Sequence, residues 1–265
     1  ANPACAAAVA AGGAASGPCD AGAPCTLAEA VAGAATDDTV RVASGTYDLP
    51  ATLDATVGGL AIEADSAVAP PLLQWSGSAN GTAVRLSGIG QTLRGVRVQG
   101  TVNGAALLVR ADDAGSGATL ERVQVRNEGT GTAVALRDAV LRDSVATSIG
   151  DGSLAVIGSG TITGSTLIAQ GAGASALYTS TLFFAGSSAV TVRNSILRGD
   201  VSGWDAEVLD DLDLVPGSSA TLDVDFSSYG AGRLRTATTS GTGVATVTPG
   251  PANVTTVGPL LAGLP

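Results

Sequence analysis

The sequence predicts an all-β solenoid, a single-stranded parallel β-helix with three strands per coil, closed at its N-terminal end by a short capping helix. The first observation is a recurring phrase: apolar, any, turn-former, small, any, apolar. It reads Leu93-Arg-Gly-Val-Arg-Val98, Leu120-Glu-Arg-Val-Gln-Val125, Leu141-Arg-Asp-Ser-Val-Ala146, Ile162-Thr-Gly-Ser-Thr-Leu167 and Val192-Arg-Asn-Ser-Ile-Leu197. The first residues stand 27, 21, 21 and 30 positions apart. A repeat of that length is one supersecondary unit, and the stack holds the core. The second observation is composition. Aromatics are 3% and Gly is 37 of 265 residues, beside abundant Val, Leu, Ile, Ala, Thr and Ser. That suits short strands joined by sharp turns. The third is another strand in each coil, at 83–86, 106–109, 132–136, 154–157 and 176–178. A β-sandwich would show two-residue hairpin turns and longer plain alternation, which are absent.

The elements follow in order. Residues 1–25 form a Cys-containing segment rich in Ala, Gly and Pro, without a period, and the β-helix with its cap spans 26–265 as one domain. Thr26-Leu-Ala-Glu29 matches a capping box, in which Thr26 and Glu29 each accept the other's backbone N–H. Leu27, Ala30, Val31 and Ala34 share one helical face, so a short amphipathic helix is expected over about 26–35. Its apolar stripe suits a lid over the end of the stack, where bare strand edges invite aggregation. Val40 and Val42 alternate with polar neighbours as the first strand, turned at Ser44-Gly45.

Over 119–173 the period holds close to 21, so equal offsets stack into columns. One inner column is Leu93, Leu120, Leu141, Ile162 and Val192. A second is Val96, Val123, Ser144, Ser165 and Ser195. A third is Val98, Val125, Ala146, Leu167 and Leu197. Between the first two lie Gly95, Arg122, Asp143, Gly164 and Asn194, four of which tolerate the positive φ of a tight bend; Arg122 is the exception. Arg94, Glu121 and Arg142 form an outward column of alternating charge, since adjacent coils sit about 4.8 Å apart. Long insertions are expected at 111–118, 179–188 and 200–220.

Composition also excludes. All 13 basic residues are Arg, His is absent and the net charge is −10, so no basic patch for nucleic acid is expected. No stretch approaches the ~20 apolar residues of a membrane span. The Ala/Gly run at 6–15 lacks a basic region before it, so any signal peptide is expected to be gone already. Cys5, Cys19 and Cys25 are an odd set, leaving one thiol unpaired or paired outside the chain. Cys19 and Cys25 bracket a five-residue loop that permits a bridge; three reduced thiols in a cytosolic protein are the alternative.

Cys25-Thr-Leu-Ala-Glu-Ala-Val31, Asp38-Thr-Val-Arg-Val42 and Gly45-Thr-Tyr47 resemble the N-terminal cap and first coil of secreted right-handed parallel β-helix proteins of the pectate-lyase-like superfamily. Asn194-Ser-Ile-Leu197, Asp225-Phe-Ser-Ser-Tyr229 and Asn253-Val-Thr-Thr-Val-Gly-Pro-Leu260 resemble their closing coils. The family commonly has Gly where this chain has Asp37, a departure that touches a turn. The last residues, Pro259-Leu-Leu-Ala-Gly-Leu-Pro265, stop where similar proteins usually continue, as a fragment would. The resemblance implies an exported bacterial protein, which favours the Cys19–Cys25 bridge. It is a resemblance of scaffold, and the scaffold hosts many functions.

Lyases on this scaffold use acidic residues to hold calcium with Arg or Lys as base, and the related hydrolases use several Asp beside a His. Here the expected outward face of the third strand series carries Arg85, Leu108 (or Leu107), Ala135 and Ala155, of which one is ionisable, and the chain has no His or Lys. No catalytic residue carries over. Asn103, Glu128 and Asp151 align on one edge with Arg126 nearby, where such scaffolds bind sugars, although ordinary solvated turns read the same way. Asp210, Asp211, Asp213, Asp223 and Asp225 crowd one segment with the oxygen ligands calcium prefers, without the spacing of any calcium loop. Asp112 and Asp113 open a loop with Gly115 and Gly117 that reads as a flexible turn, with cation binding as the alternative. The Thr-rich stretch 236–248 lacks the strict stacking of an ice-binding array. The expectation is a monomeric, exported, non-catalytic module that binds a polysaccharide or cell-surface partner or spaces other domains. It would need no cofactor beyond possible calcium. A carbohydrate-active enzyme acting on an acidic polysaccharide is the alternative.

Overall fold

The protein is described by a computed structural model covering residues 7–10, 26–66, 69–113, 115–181, 187–210, 218–238 and 244–256. Each coil passes through three faces. Face A stacks Leu53–Ala55, Val84–Leu86, Leu107–Ala111, residues 132–136 and 154–158, Ser175–Ser180, Ala206–Asp210 and Leu234–Thr238. Face B stacks Thr39–Val42, Ala61–Ala64, Thr92–Arg94, Thr119–Glu121, residues 139–142 and 160–163, Ser188–Arg193, Ser219–Asp225 and Val244–Pro249. Face C stacks nine short strands from Thr46–Leu49 to Val254–Thr256. Within each face neighbouring strands are parallel, as coils of one solenoid must be. In two coils faces A and B run together through the strands Thr132–Arg142 and Leu154–Thr163, bent where the register slips between Leu136 and Ala139.

The predicted columns are the observed ladders. Leu93, Leu120, Leu141, Ile162 and Val192 pair in succession, and Val40, Ile62 and Val224 extend that column at both ends. All are fully buried, and Val98, Val125, Ala146, Leu167 and Leu197 line the next face inward in the same way. The middle column turns polar without leaving the core. Ser144, Ser165, Ser195 and Ser227 are buried, and each hydroxyl accepts the backbone N–H of the equivalent residue one coil before it, at 3.1–3.2 Å. Each hydroxyl also donates to a carbonyl two residues back in its own coil, at 2.6–2.9 Å. Asn253 Oδ1 ends the row by accepting from the Ser227 N–H. A hydroxyl is tolerated in the core because donor and acceptor capacity are both used.

The five predicted corner residues between faces B and C adopt positive φ, from 51° at Asn194 to 69° at Gly95, with Arg122 at 52°, and Phe226 at the next corner does so at 48°. The backbone N–H of Arg122 donates to the Arg142 carbonyl at 3.0 Å, as its equivalents Gly95, Asp143 and Gly164 do to the coils after them. The ladder of the stack therefore holds Arg122 in a conformation its side chain disfavours.

The cap forms as expected, over Leu27–Ala32 with Gly33 closing it. Glu29 N–H donates to Thr26 Oγ1 at 3.2 Å and Thr26 N–H to Glu29 Oε2 at 3.0 Å. Leu27, Ala30, Val31 and Ala34 are buried as one stripe against the first strands of faces A and B.

Three expectations are corrected. Ala7–Ala10 is a strand, antiparallel to Thr39–Val42, inside the segment read as having no period; Ala-Ala-Val-Ala offers no alternation to reveal it. Ala206–Asp210 is a face A strand inside the stretch read as an insertion. On face A the outward column runs Asp54, Arg85, Arg110, Ala135, Ile157, Tyr178, Glu207 and Arg235. Leu108 and Ala155 are fully buried instead. The apolar run Leu107-Leu108-Val109 does not betray which side faces water, and the pairing of Val109 with Val84 decides it.

Candidate functional site

The corrected register makes face A more charged than the sequence suggested. Arg85 grips Asp113 through both ends of its guanidinium, Nε to Oδ2 at 3.1 Å and Nη2 to Oδ1 at 3.0 Å, with Asp54 at 3.9 Å on its other side. Arg110 holds Asp112 in the same two-pronged way, at 2.9 and 3.1 Å. The Asp112-Asp113 turn is thus folded back onto the strands that precede it. Arg85 is held above the ordinary arginine value, first by the hydrogen bond it donates to Asp113 and then by the charges of Asp113, Asp54 and Asp112. A base drawn from arginine needs the opposite shift, so Arg85 is a poor proton acceptor here. Further along the face Ala135 and Ile157 are buried although they lie outside the core cluster. Beyond them Glu207 pairs with Arg235 at 3.3 Å, and the Arg235 guanidinium lies 5.3 Å from the centre of the Trp204 ring.

The other candidates are not brought to one place. Asn103 Oδ1 accepts the Thr130 N–H at 3.0 Å, and Asp151 Oδ1 accepts the Ala172 N–H at 2.9 Å, so each fastens its turn to the next coil. Glu128 is shared by Gln99 at 3.0 Å and Arg126 at 3.3 Å on the outer side of face C. Arg85 is on face A, apart from these. Of the acidic segment, Asp211 and Asp213 lie outside the described residues. Asp210 ends a face A strand, whereas Asp223 and Asp225 stand on face B. Asp223 pairs with Arg193 at 2.8 Å, and Asp225 Oδ1 accepts the backbone N–H groups of Phe226 and Ala252 at 3.0 and 3.3 Å. Among the described residues no three His, Cys, Asp or Glu side chains converge as a metal site requires. Cys5, Cys19 and Cys25, with the predicted bridge, also lie outside the described residues. No helix among the described residues is long and apolar enough to cross a membrane.

Two arrangements escaped sequence reasoning. Asp205, fully buried, accepts backbone N–H groups from Gly199 at 2.7 Å and Gly230 at 2.6 Å, and Arg233 Nε at 3.0 Å, with Arg198 at 3.6 Å. Nothing in the run Gly-Trp-Asp-Ala distinguishes that aspartate from a surface one. The second is a groove at the corner of faces B and C. Three adjoining concavities of about 260, 240 and 470 Å³ all share Arg97 and Gln124 as lining. Beside it runs the charge ladder predicted for Arg94, Glu121 and Arg142, which the structure extends back to Glu63 and Arg41.

Geometry of this kind defines a parallel β-helix. No family model and no curated protein matches the chain by sequence. Among solved structures, the crystal structure of pectate lyase Pel9A is similar, with a TM-score of 0.58 at 12% identity over 78% of this chain. The chain spans 58% of the length of that enzyme. At this identity the likeness is one of fold.

Proposed function

We propose that the chain is an exported, non-catalytic β-helix module that binds a polysaccharide or protein partner at the cell surface, or holds other domains at a fixed distance. The observation that carries this reading is the state of the charged groups on face A. Asp112 and Asp113 are each occupied by a two-pronged arginine, and Arg85 is shifted away from proton acceptance. A lyase or hydrolase needs a free base or a set of carboxylates open to a cation or a substrate. In this reading the chain is a monomer that requires no cofactor and does not bind nucleic acid, in keeping with its net charge of −10. The second reading, a carbohydrate-active enzyme, is favoured by the fold shared with pectate lyase Pel9A.

The test is an absorbance assay for unsaturated products on pectate and alginate, with and without calcium. No cleavage is expected. Calcium-dependent cleavage that disappears in Asp223→Asn with Asp225→Asn, or in Asp54→Asn with Asp113→Asn, overturns the proposal in favour of the enzyme.

A further inference from the structure

The groove at the corner of faces B and C is cationic in an acidic protein. Glu121 alone faces three guanidinium groups, Arg142 at 2.7 Å, Arg94 at 2.9 Å and Arg122 at 3.5 Å. Glu63 is likewise divided between Arg41 and Arg94, at 3.5 Å each. Asp65 also lies 3.8 Å from Arg41, and the groove lining itself holds Arg94, Arg97, Arg122 and Arg126 against the single carboxylate of Asp143. Arg97, at the point common to all three concavities, is exposed, and its guanidinium has no partner among the described residues. Gln124 beside it is exposed too, with its carboxamide unengaged.

Arg122 stands on the wall of the same groove. The equivalent corner positions hold Gly95, Asp143, Gly164 and Asn194, residue types that accept positive φ readily, and Phe226, which does not. Arg122, like Phe226, is held in that conformation by the stack, and more than half of its side chain is exposed along the groove wall.

We infer that this groove binds an extended acidic peptide segment of a partner protein. Charge complementarity selects an anionic occupant, with Arg97 and Arg122 offering paired donors to carboxylates. The remaining lining selects polypeptide over sugar. Gln124 offers a donor and an acceptor that match a peptide group. Leu72, Pro70 and Val145 give apolar contact, and the groove has no aromatic ring on which a sugar would stack. The inference goes beyond the reading of face A and does not depend on it, since a catalytic face A would leave this groove as it is.

The experiment measures binding of a labelled peptide of about six glutamates, ~20 Å long when extended, to the wild type, Arg97→Ala, Arg122→Gly and Arg235→Ala. Binding to the wild type should weaken as salt rises. Arg97→Ala should lose about tenfold in affinity and Arg122→Gly about threefold, with Arg235→Ala unchanged. Arg122→Gly should at the same time melt higher than the wild type, which separates loss of the site from loss of the fold. No binding at low salt, or equal binding by wild type and Arg97→Ala, overturns the inference. So does displacement of the peptide by oligogalacturonate at lower concentration than by unlabelled peptide, which makes a glycan the occupant. Displacement by inorganic sulfate alone at similar concentration makes it a simple anion site and overturns it as well.

Discussion

Ser165 and Ser195 stand one coil apart in the core, and the backbone N–H of Ser165 donates to the hydroxyl of Ser195 at 3.2 Å. The same bond links Ser144 to Ser165 and Ser195 to Ser227. Side chains thereby continue the hydrogen bonding of the stack through the corner where faces B and C meet.

Ser165→Ala removes the acceptor for the Ser144 N–H in a site that water does not reach. The expected loss is about 1–3 kcal/mol, the cost of a buried donor left unpaired. Thr161→Ala, on the half-buried outer side of face B in the same coil, should cost about 0.5 kcal/mol or less. Urea unfolding of the two variants compares them directly. Equal losses would mean that the hydroxyl row is incidental.

Leu141 and Arg142 are neighbours in sequence with opposite surroundings. Leu141 is fully buried between Leu120 and Ile162, whereas Arg142 is about half exposed beside Glu121. Leu141→Asp should cost about 4 kcal/mol or more, or prevent folding, because a charge enters an apolar column. Arg142→Asp should cost about 1 kcal/mol. Unfolding free energies in the reverse order would refute the register.

How much was legible depends on whether the repeat itself carried the information. The columns through Leu141 and Ser165 could be read because the period barely varies over that stretch, and stacking turns a constant period into contact. The capping helix could be read because Thr26 and Glu29 satisfy each other locally. Face A could not, because Leu107-Leu108-Val109 presents apolar residues on both sides and only the pairing with Val84 chooses between them. Arg110 was therefore missed as a partner of the Asp112-Asp113 turn. Asp205 and the Arg97 groove were illegible for a different reason. Gly230 and Arg233 reach Asp205, and Gln124 reaches Arg97, from coils 25 or more residues away, and the spacing there is irregular.

The helix cap offers a local test. Thr26→Ala deletes the acceptor for the Glu29 N–H and frees the Glu29 carboxylate from the Thr26 hydroxyl. A loss of about 1 kcal/mol is expected, with Thr26→Ser near the wild type. An unchanged melting temperature in the alanine variant would show that the lid does not contribute to the stability of the stack.

Glu121 gives the stack a predictable acid sensitivity. The hydrogen bond from Arg142 holds its carboxyl below the ordinary glutamate range, with the Arg94 charge acting the same way against the effect of burial. A carboxyl lowered in the folded state stabilises above its unfolded pKa, and that contribution is lost as pH falls through the folded value, here from about pH 4 downward. Wild type should therefore exceed Glu121→Gln in urea midpoint at about pH 6, and the gap should narrow at about pH 3. A gap of equal size at both values would show that the carboxylate charge is not what Arg94 and Arg142 hold.

The largest single loss is expected at Asp205. Its two oxygens satisfy the backbone N–H groups of Gly199 and Gly230 and the guanidinium of Arg233, all from within the wall of the last coils. Arg198 is held below the ordinary arginine value chiefly by burial, and the Asp205 charge is what opposes that shift. Asp205→Ala would leave these donors facing one another, at about 3–5 kcal/mol. Arg235→Ala, which removes only the contacts to Glu207 and the Trp204 ring, should cost about 1 kcal/mol. Hydrogen exchange should report the Asp205→Ala damage in Ala206–Asp210 and Leu234–Thr238 before the N-terminal coils, since each coil of a solenoid depends on its neighbours. Protection lost uniformly along the chain, or no loss of stability, would show that Asp205 does not anchor the C-terminal coils.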